Sequence, residues 1–146
     1  MELFERKTVL VVDDDFGILV ALEKRLSSAG FLVLTAPSGI DALEHVRQHA
    51  VDAILLDVRM PGELDGLGVA TTLHKDPDTA HIPVIFVTGA AEAMLKQRCK
   101  AIGGQYFICK PYDEDVLVRL LKGVFAQDEL AELKKIAKGK RRQLVD

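Results

Sequence analysis

Short apolar runs alternate with longer amphipathic segments along the chain, and their lengths suit strands separated by helices. The run A-I-L-L at 53–56 has no polar residue inside it. Such a run is typical of a strand covered on both faces of a parallel sheet, although a buried helix produces the same pattern. Four further runs are of similar length. The pattern predicts strands over 8–12, 31–35, 53–56, 84–87 and 106–109.

The segments between these runs repeat their apolar residues at helical spacing. In the first, Ile18, Leu22 and Leu26 lie about one turn apart, with Asp15 placed to cap the helix and Gly30 to end it. The same reasoning predicts helices over 16–29, 38–48, 64–75, 90–102 and from 113 onward. Five strand and helix units imply an α/β fold, a five-stranded parallel sheet with helices on both faces.

Composition narrows the class of protein. A chain of 146 residues that is 49% hydrophobic and 28% charged fits one globular domain with a tail. Its net charge of -3 gives no general attraction to nucleic acid, and no apolar run reaches the length of a membrane span. Residues 1–7 are charged and do not resemble a signal peptide. We therefore expect a cytoplasmic protein in which Cys99 and Cys109 are free thiols.

Distinctive polar residues follow the predicted strands. Asp13 and Asp14 follow the first strand, Asp57 the third, Thr88 the fourth and Lys110 the fifth. Because the carboxyl ends of parallel strands meet at one edge of a sheet, these side chains are expected to lie together. Taken singly, these residues have ordinary alternatives. Asp57 and Thr88 could cap the helices that follow them, and Lys110 could be a solvated surface lysine.

Together, these groups suit phosphoryl chemistry. A cluster of carboxylates repels itself unless a cation neutralises it, and hard oxygen ligands favour Mg²⁺. An aspartate can attack phosphorus as a nucleophile. A metal ion and a lysine can neutralise charge on the phosphoryl oxygens, and a threonine hydroxyl can donate a hydrogen bond to one of them.

Five motifs in order make the pattern specific. They are V-V-D-D-D at 11–15, L-L-D-V-R-M-P-G at 55–62, D-G at 65–66, V-T-G-A at 87–90 and C-K-P-Y at 109–112. Over about residues 8–125 the chain resembles the receiver domain of two-component response regulators, the CheY-like family. This resemblance implies a doubly wound, flavodoxin-like sheet with strand order 2-1-3-4-5.

The resemblance also implies roles for individual residues. Asp57 matches the phosphoacceptor, and the Mg²⁺ site is implied at Asp13, Asp14, Asp57 and the backbone carbonyl of Arg59. Thr88 and Lys110 match the residues that contact the phosphoryl group. Asp15 matches a variable position and is left out of the metal site.

The switch residues are implied in the same way. Thr88 is expected to move toward the phosphoryl group, and the aromatic residue that moves with it falls at Phe107. The Lys110-Pro111 peptide bond is expected to be cis, because the strand must end abruptly for the lysine to turn back over the site, and only X-Pro bonds adopt cis at a cost of about 0.5–1 kcal/mol.

Three features depart from the family pattern or vary within it. The loop containing Gly62, Glu63 and Leu64 is one residue longer than usual, so the turn after Asp57 must bulge. Phe107 lacks the phenolic hydroxyl of many relatives, but burial of its ring is worth about 2 kcal/mol and could drive a switch. Arg59 and Ala90 occupy positions that tune the lifetime of the phosphoryl group in the family.

The predicted function is a phosphoacceptor receiver domain, without enzymatic activity on other molecules, that takes a phosphoryl group from a histidine kinase or a histidine phosphotransfer protein. Alternatives are an interaction module that works without phosphorylation and a Mg²⁺-dependent phosphatase. The domain is expected over 1–126, with a helical, basic extension or linker over 127–146. A homodimer or an effector is expected to use the face made by the fourth helix, fifth strand and fifth helix, with no direct binding to membrane or nucleic acid.

Overall fold

The computed structural model describes residues 6–89, 93–102 and 106–145. Five strands form one parallel sheet: β1 (Thr8–Val12), β2 (Leu32–Ala36), β3 (Ala53–Asp57), β4 (Val84–Thr88) and β5 (Tyr106–Cys109). Their order across the sheet is β2-β1-β3-β4-β5. This confirms the doubly wound, flavodoxin-like sheet that was expected from the sequence.

The helices are α1 (Phe16–Ser28), α2 (Gly39–Gln48), α3 (Gly66–Lys75), α4 (Ala93–Ala101) and α5 (Glu114–Val145). The chain divides into two compact units, the first ending at Glu114 and the second beginning at Asp115. The first unit holds the sheet and α1 to α4, and the second consists of α5. Among the residues that the structure describes, no helix combines the length and the apolar character needed to cross a membrane.

Helices cover both faces of the sheet, as predicted. Leu10 and Ile54 point to one face, where they belong to a buried cluster with residues of α2 and α3 such as Val69. Leu55 follows Ile54 in the strand, is also buried, and points to the opposite face. The buried residues of α1, such as Leu22, do not belong to the first cluster. The interiors of the central strands β1 and β3 are therefore apolar because each face of the sheet meets a helix.

Helix capping agrees with the predicted start of α1 but corrects that of α3. The side chain of Asp15 accepts hydrogen bonds from the first turn of α1. The helix predicted from residue 64 instead begins at Gly66, because Asp65 is the N-cap and its Oδ1 lies 2.9 Å from the backbone nitrogen of Gly68. Asp57 is thus not the cap of this helix, and that alternative reading of the sequence is wrong.

The strand β2 begins one residue later than predicted. The backbone N–H of Phe31 donates to the carbonyl of Leu26 at 3.1 Å and so belongs to the turn that ends α1. Gly30, within this turn, has a φ of 100°, a backbone conformation that favours glycine. Gly30 correctly predicted the turn. The prediction placed Phe31 in the strand because Phe31 is apolar, but this buried residue belongs to the turn.

Candidate functional site

The carboxyl ends of four strands bring the candidate residues to one edge of the sheet. Asp57 is the last residue of β3 and Thr88 the last residue of β4, while Asp13 and Lys110 directly follow β1 and β5. In the sheet register Asp57 lies opposite Val87. The predicted meeting of these polar groups at one edge is therefore observed.

Three carboxylates form the acidic part of this edge. One oxygen atom from each of Asp13, Asp14 and Asp57 lies within 4.8 Å of the other two. Asp13 and Asp57 are buried, and Asp14 is exposed to solvent. Such a set of hard oxygen donors, open on one side to water, fits the coordination that Mg²⁺ prefers. The residues present could therefore hold a magnesium ion.

Asp15 does not join this group. Its Oδ1 accepts hydrogen bonds from the backbone nitrogens of Gly17 at 2.9 Å and Ile18 at 3.3 Å. Its own backbone N–H donates to Oδ1 of Asp13 at 2.9 Å. Asp15 therefore caps the start of α1, and its backbone N–H helps to orient the carboxylate of Asp13.

Lys110 reaches across to the buried carboxylates. Its Nζ donates to Oδ2 of Asp13 at 3.0 Å and to Oδ2 of Asp57 at 3.2 Å. Its backbone nitrogen donates to the carbonyl oxygen of Thr88 at 2.7 Å. The following peptide bond, between Lys110 and Pro111, is cis. Lys110 is thus not a solvated surface lysine, because both its backbone and its side chain are held at the site.

Burial shapes the charges at this edge. It raises the pKa of Asp57 above the ordinary value for aspartate; the positive charge of Lys110 opposes this rise and the negative charge of Asp13 adds to it. Burial alone would lower the pKa of Lys110, but hydrogen bonds and charges from Asp13 and Asp57 raise it. Lys110 therefore remains positively charged. Its charge does not fully offset the cost of burying the ionised carboxylate of Asp57.

The loop after β3 begins with close backbone contacts. The backbone N–H of Arg59 donates to Oδ1 of Asp57 at 3.2 Å, and that of Gly66 donates to the carbonyl of Val58 at 3.0 Å. A Cβ atom at Gly66 would collide with the backbone carbonyl oxygen of Asp57. The loop thus returns directly past the backbone of Asp57, the residue that it follows.

Three glycines and a leucine accommodate the longer loop. Gly62 takes a φ of 105°. A Cβ atom at Gly39, the first residue of α2, would lie 2.5 Å from the carbonyl oxygen of Leu64. One at Gly68 would lie 2.7 Å from Cδ1 of Leu64. Leu64 therefore packs between the starts of α2 and α3. The sequence analysis had instead assigned Leu64 to α3 itself.

Thr88 and Phe107 lie on the same face of the sheet. Thr88 is buried and lies two residues after Phe86 in β4, so both side chains point the same way. Phe86 pairs with Phe107 in the sheet register, and their rings stack with centroids 5.8 Å apart. Phe107 is partly buried against the core cluster. The two predicted switch residues therefore lie on the same face of adjacent strands, two positions apart in the register.

Tyr112 follows Lys110 by two residues, and the sequence analysis gave it no role. Burial raises the pKa of its phenol, the charge of Lys110 lowers it, and the charge of Asp13 raises it again. The charges of Lys110 and Asp13 therefore act on this hydroxyl. Its place in the C-K-P-Y motif, two residues after Lys110, was the signal in the sequence. Ala90, by contrast, lies outside the described residues.

Comparison with known proteins identifies the family. The family model of the response regulator receiver domain matches residues 9–122. The chain is 36% identical to Protein PilH of Pseudomonas aeruginosa over 118 residues, which cover 81% of this chain and 97% of that protein. It is 32% identical to the probable transcriptional regulator ycf27 of Guillardia theta over 131 residues, which cover 90% of this chain but 50% of that protein. The chain thus spans about half the length of that relative.

Solved structures give the same result. The chemotaxis protein CheY4 of Vibrio cholerae superposes with a TM-score of 0.78 at 28% identity, covering 82% of this chain and 99% of that one. The strand order, the matched residues and these relatives lead to one conclusion. The chain belongs to the family of response regulator receiver domains.

Proposed function

We propose that this domain accepts a phosphoryl group on Asp57 from a phosphohistidine of a sensor histidine kinase or a histidine phosphotransfer protein. The observation that carries the proposal is the position of Asp57 at the end of β3, with its Oδ2 bonded to Lys110 and its neighbours Asp13 and Asp14 within 4.8 Å. Receiver domains are signalling domains. The proposed chemistry is confined to the domain's own aspartate.

In the proposed reaction a carboxylate oxygen of Asp57 attacks the phosphorus atom. The new O–P bond forms as the P–N bond to histidine breaks, and the electron pair of that bond remains on the imidazole nitrogen. Burial of Asp57 and the nearby charge of Asp13 destabilise the resting carboxylate, which favours its conversion to an acyl phosphate. Hydrolysis of the acyl phosphate would restore the carboxylate.

Lys110 and Thr88 are proposed to bind the transferred group. The ammonium of Lys110 already lies 3.2 Å from Oδ2 of Asp57, so a modest movement would bring it to a phosphoryl oxygen. The hydroxyl of Thr88 would donate a hydrogen bond to another. Mg²⁺ bound by Asp13, Asp14, Asp57 and the carbonyl of Arg59 would supply positive charge beside the phosphoryl oxygens.

Phosphorylation is proposed to act as a switch through Thr88 and Phe107. A phosphoryl group adds about two negative charges next to Lys110, which favours an inward position of Thr88. Phe107 lies on the same face of the sheet and stacks on Phe86, so its ring could follow the threonine. A partner would recognise the altered surface.

The proposed location is the cytoplasm, consistent with two free cysteines.

The test is phosphorylation by acetyl phosphate with and without Mg²⁺, followed by intact-protein mass spectrometry. We expect one phosphoryl group per chain with Mg²⁺, and none in Asp57→Asn. Lys110→Ala and Asp14→Ala should reduce the rate at least about tenfold, since each removes charge stabilisation. Glu63→Gln, an exposed change in the same loop, serves as the matched control.

Two results would contradict the proposal. A phosphoryl group that persists in Asp57→Asn would show a different acceptor. A protein that is never modified by acetyl phosphate or by any candidate kinase, yet binds a partner, would instead be an interaction module that works without phosphorylation. Release of phosphate from small phosphoesters over many turnovers would favour a phosphatase.

A further inference from the structure

The far half of α5 presents apolar residues to solvent. The helix runs from Glu114 to Val145, and every residue from 126 to 138 is exposed to solvent. We call residues 126–138 the exposed segment. Leu130, Leu133 and Ile136 keep 53%, 62% and 49% of their surface accessible. In proteins most of the stability of a helix comes from packing of its apolar face. The exposed segment therefore has the character of a helix that packs against a further surface.

These apolar residues lie on one side of the helix. Leu130 and Leu133 are three residues apart. Ala126 lies four residues before Leu130, and Ala137 lies four residues after Leu133, so the four residues share one side of the helix. Ile136 flanks them one turn after Leu133. We call these five residues the apolar stripe. Its spacing of four, three and four residues is that of helices packed side by side.

The charges of the exposed segment are divided at Leu133. Three acidic residues precede it and three lysines follow it: Asp128, Glu129 and Glu132, then Lys134, Lys135 and Lys138. Within the helix this arrangement places like charges four residues apart, as at Asp128 and Glu132, which is unfavourable. The helix dipole does not account for the division, because these residues lie well inside a helix that continues to Val145.

We propose that the apolar stripe packs against the same stripe of a second copy of this chain in the antiparallel orientation, about a two-fold axis near Leu133. The antiparallel arrangement sets the acidic half of each helix beside the lysine half of the other. A parallel arrangement would set acid beside acid and lysine beside lysine. Such an interface is isologous, because each copy contributes the same residues.

The proposed dimer is expected to be weak. Two short helices bury less than the roughly 800 Å² per partner that a stable interface needs. Association should therefore rise with protein concentration and fall with salt, because part of it comes from charges at the surface. The proposal does not depend on phosphorylation of Asp57.

The first experiment is sedimentation velocity on the full chain over a range of concentrations at low and high salt. The wild-type chain should shift from monomer toward dimer as concentration rises, and less so at high salt. The double variant Leu130→Ser, Leu133→Ser should remain a monomer. Val116→Ser is the matched control, since Val116 is also exposed on α5 but lies outside the stripe; it should dimerise as the wild type does.

Charge variants test the orientation. Replacing the lysines at 134, 135 and 138 with Glu should abolish dimerisation at low salt. Restoring complementarity by also changing residues 128, 129 and 132 to Lys should recover it. In a parallel dimer the lysine change would leave the number of repulsive pairs unaltered. A triple variant that dimerises as well as wild type would therefore overturn the antiparallel proposal.

A zero-length cross-linker that joins carboxylates to amines supplies an independent measurement on the unaltered chain. Asp128 and Lys138 are ten residues apart, about 15 Å along the helix, too far to react within one copy or across a parallel pair. Their cross-link is expected in the antiparallel dimer. A chain that stays monomeric at all concentrations, or a dimer unaffected by the stripe variant, would overturn the proposal.

Discussion

The same strands carry two regions built on opposite principles, an apolar interior and a charged edge. Leu56 is fully buried in the core of β3, and the next residue, Asp57, is a buried carboxylate whose pKa is raised by burial. One step along the backbone thus separates a residue that stabilises the fold from one that costs stability. This domain therefore has its charged residues where the rigid sheet can hold unfavourable charges together.

The largest expected effect is in the interior. Leu56→Ala should lower the free energy of unfolding by about 2–5 kcal/mol, since it removes buried methyl groups and leaves a cavity. Leu32→Ala is the matched control, because Leu32 is half exposed at the edge strand β2 and should cost less than about 1 kcal/mol. Urea denaturation measures both. Equal losses would mean that the two positions do not differ in packing as the structure indicates.

A second prediction concerns the junction between the regions. Gly66→Ala should destabilise the protein by about 1–3 kcal/mol and slow phosphorylation of Asp57, because the new methyl group meets the Asp57 backbone. Gly123→Ala is the control. A Cβ atom at Gly123, within α5, meets nothing within 4 Å, and the change should raise stability by about 0.5–1 kcal/mol. Unchanged stability and phosphorylation in Gly66→Ala would contradict the close approach.

At the charged edge the expected sign is reversed. In metal-free buffer at pH 7, Asp57→Asn should raise the free energy of unfolding by about 1 kcal/mol or less, since the folded state disfavours the ionised carboxylate. Asp14→Asn, an exposed neighbour, should have a smaller effect. Mg²⁺ should stabilise the wild type and have less effect on Asp57→Asn. A loss of stability in Asp57→Asn would contradict the account of an edge that costs stability.

The smallest effect separates the two cysteines. Cys99 is buried in the core, burial raises the pKa of its thiol, and the charge of Arg98 opposes the rise. A raised pKa means less thiolate at any given pH, so alkylation of Cys99 should be at least about tenfold slower than that of Cys109. Cys109 is only partly buried at the end of β5. Mass spectrometry after timed alkylation measures both rates; equal rates would contradict the burial difference.

How far the sequence predicts the molecule also differs between regions. The strands and their order follow from apolar runs and from a specific set of motifs, because burial on both faces leaves a plain pattern. The start of α3 does not. Leu64 has the apolar character of a helix residue, but it packs against Gly39 and Gly68 as part of the loop, and Asp65 caps the helix. Only tertiary contacts distinguish these assignments.

The candidate site shows the same limit. Asp57 and Lys110 could be named from their places after apolar strands, whereas the ion pair between Lys110 and Asp13 depends on residues 97 positions apart. Tyr112 lies in the C-K-P-Y motif, but nothing in that motif shows that the charges of Lys110 and Asp13 act on its hydroxyl. The residue types were predictable, but their mutual geometry required the sheet.

Among the clustered carboxylates, Asp57 is proposed to be the single acceptor of the phosphoryl group. An acyl phosphate is reduced by borohydride to an alcohol, so a phosphorylated aspartate becomes homoserine. After treatment with acetyl phosphate and Mg²⁺, reduction and peptide sequencing should find homoserine at position 57, and aspartate unchanged at Asp13, Asp14 and Asp15. Homoserine at any of those three positions, with Asp57 unmodified, would contradict the account.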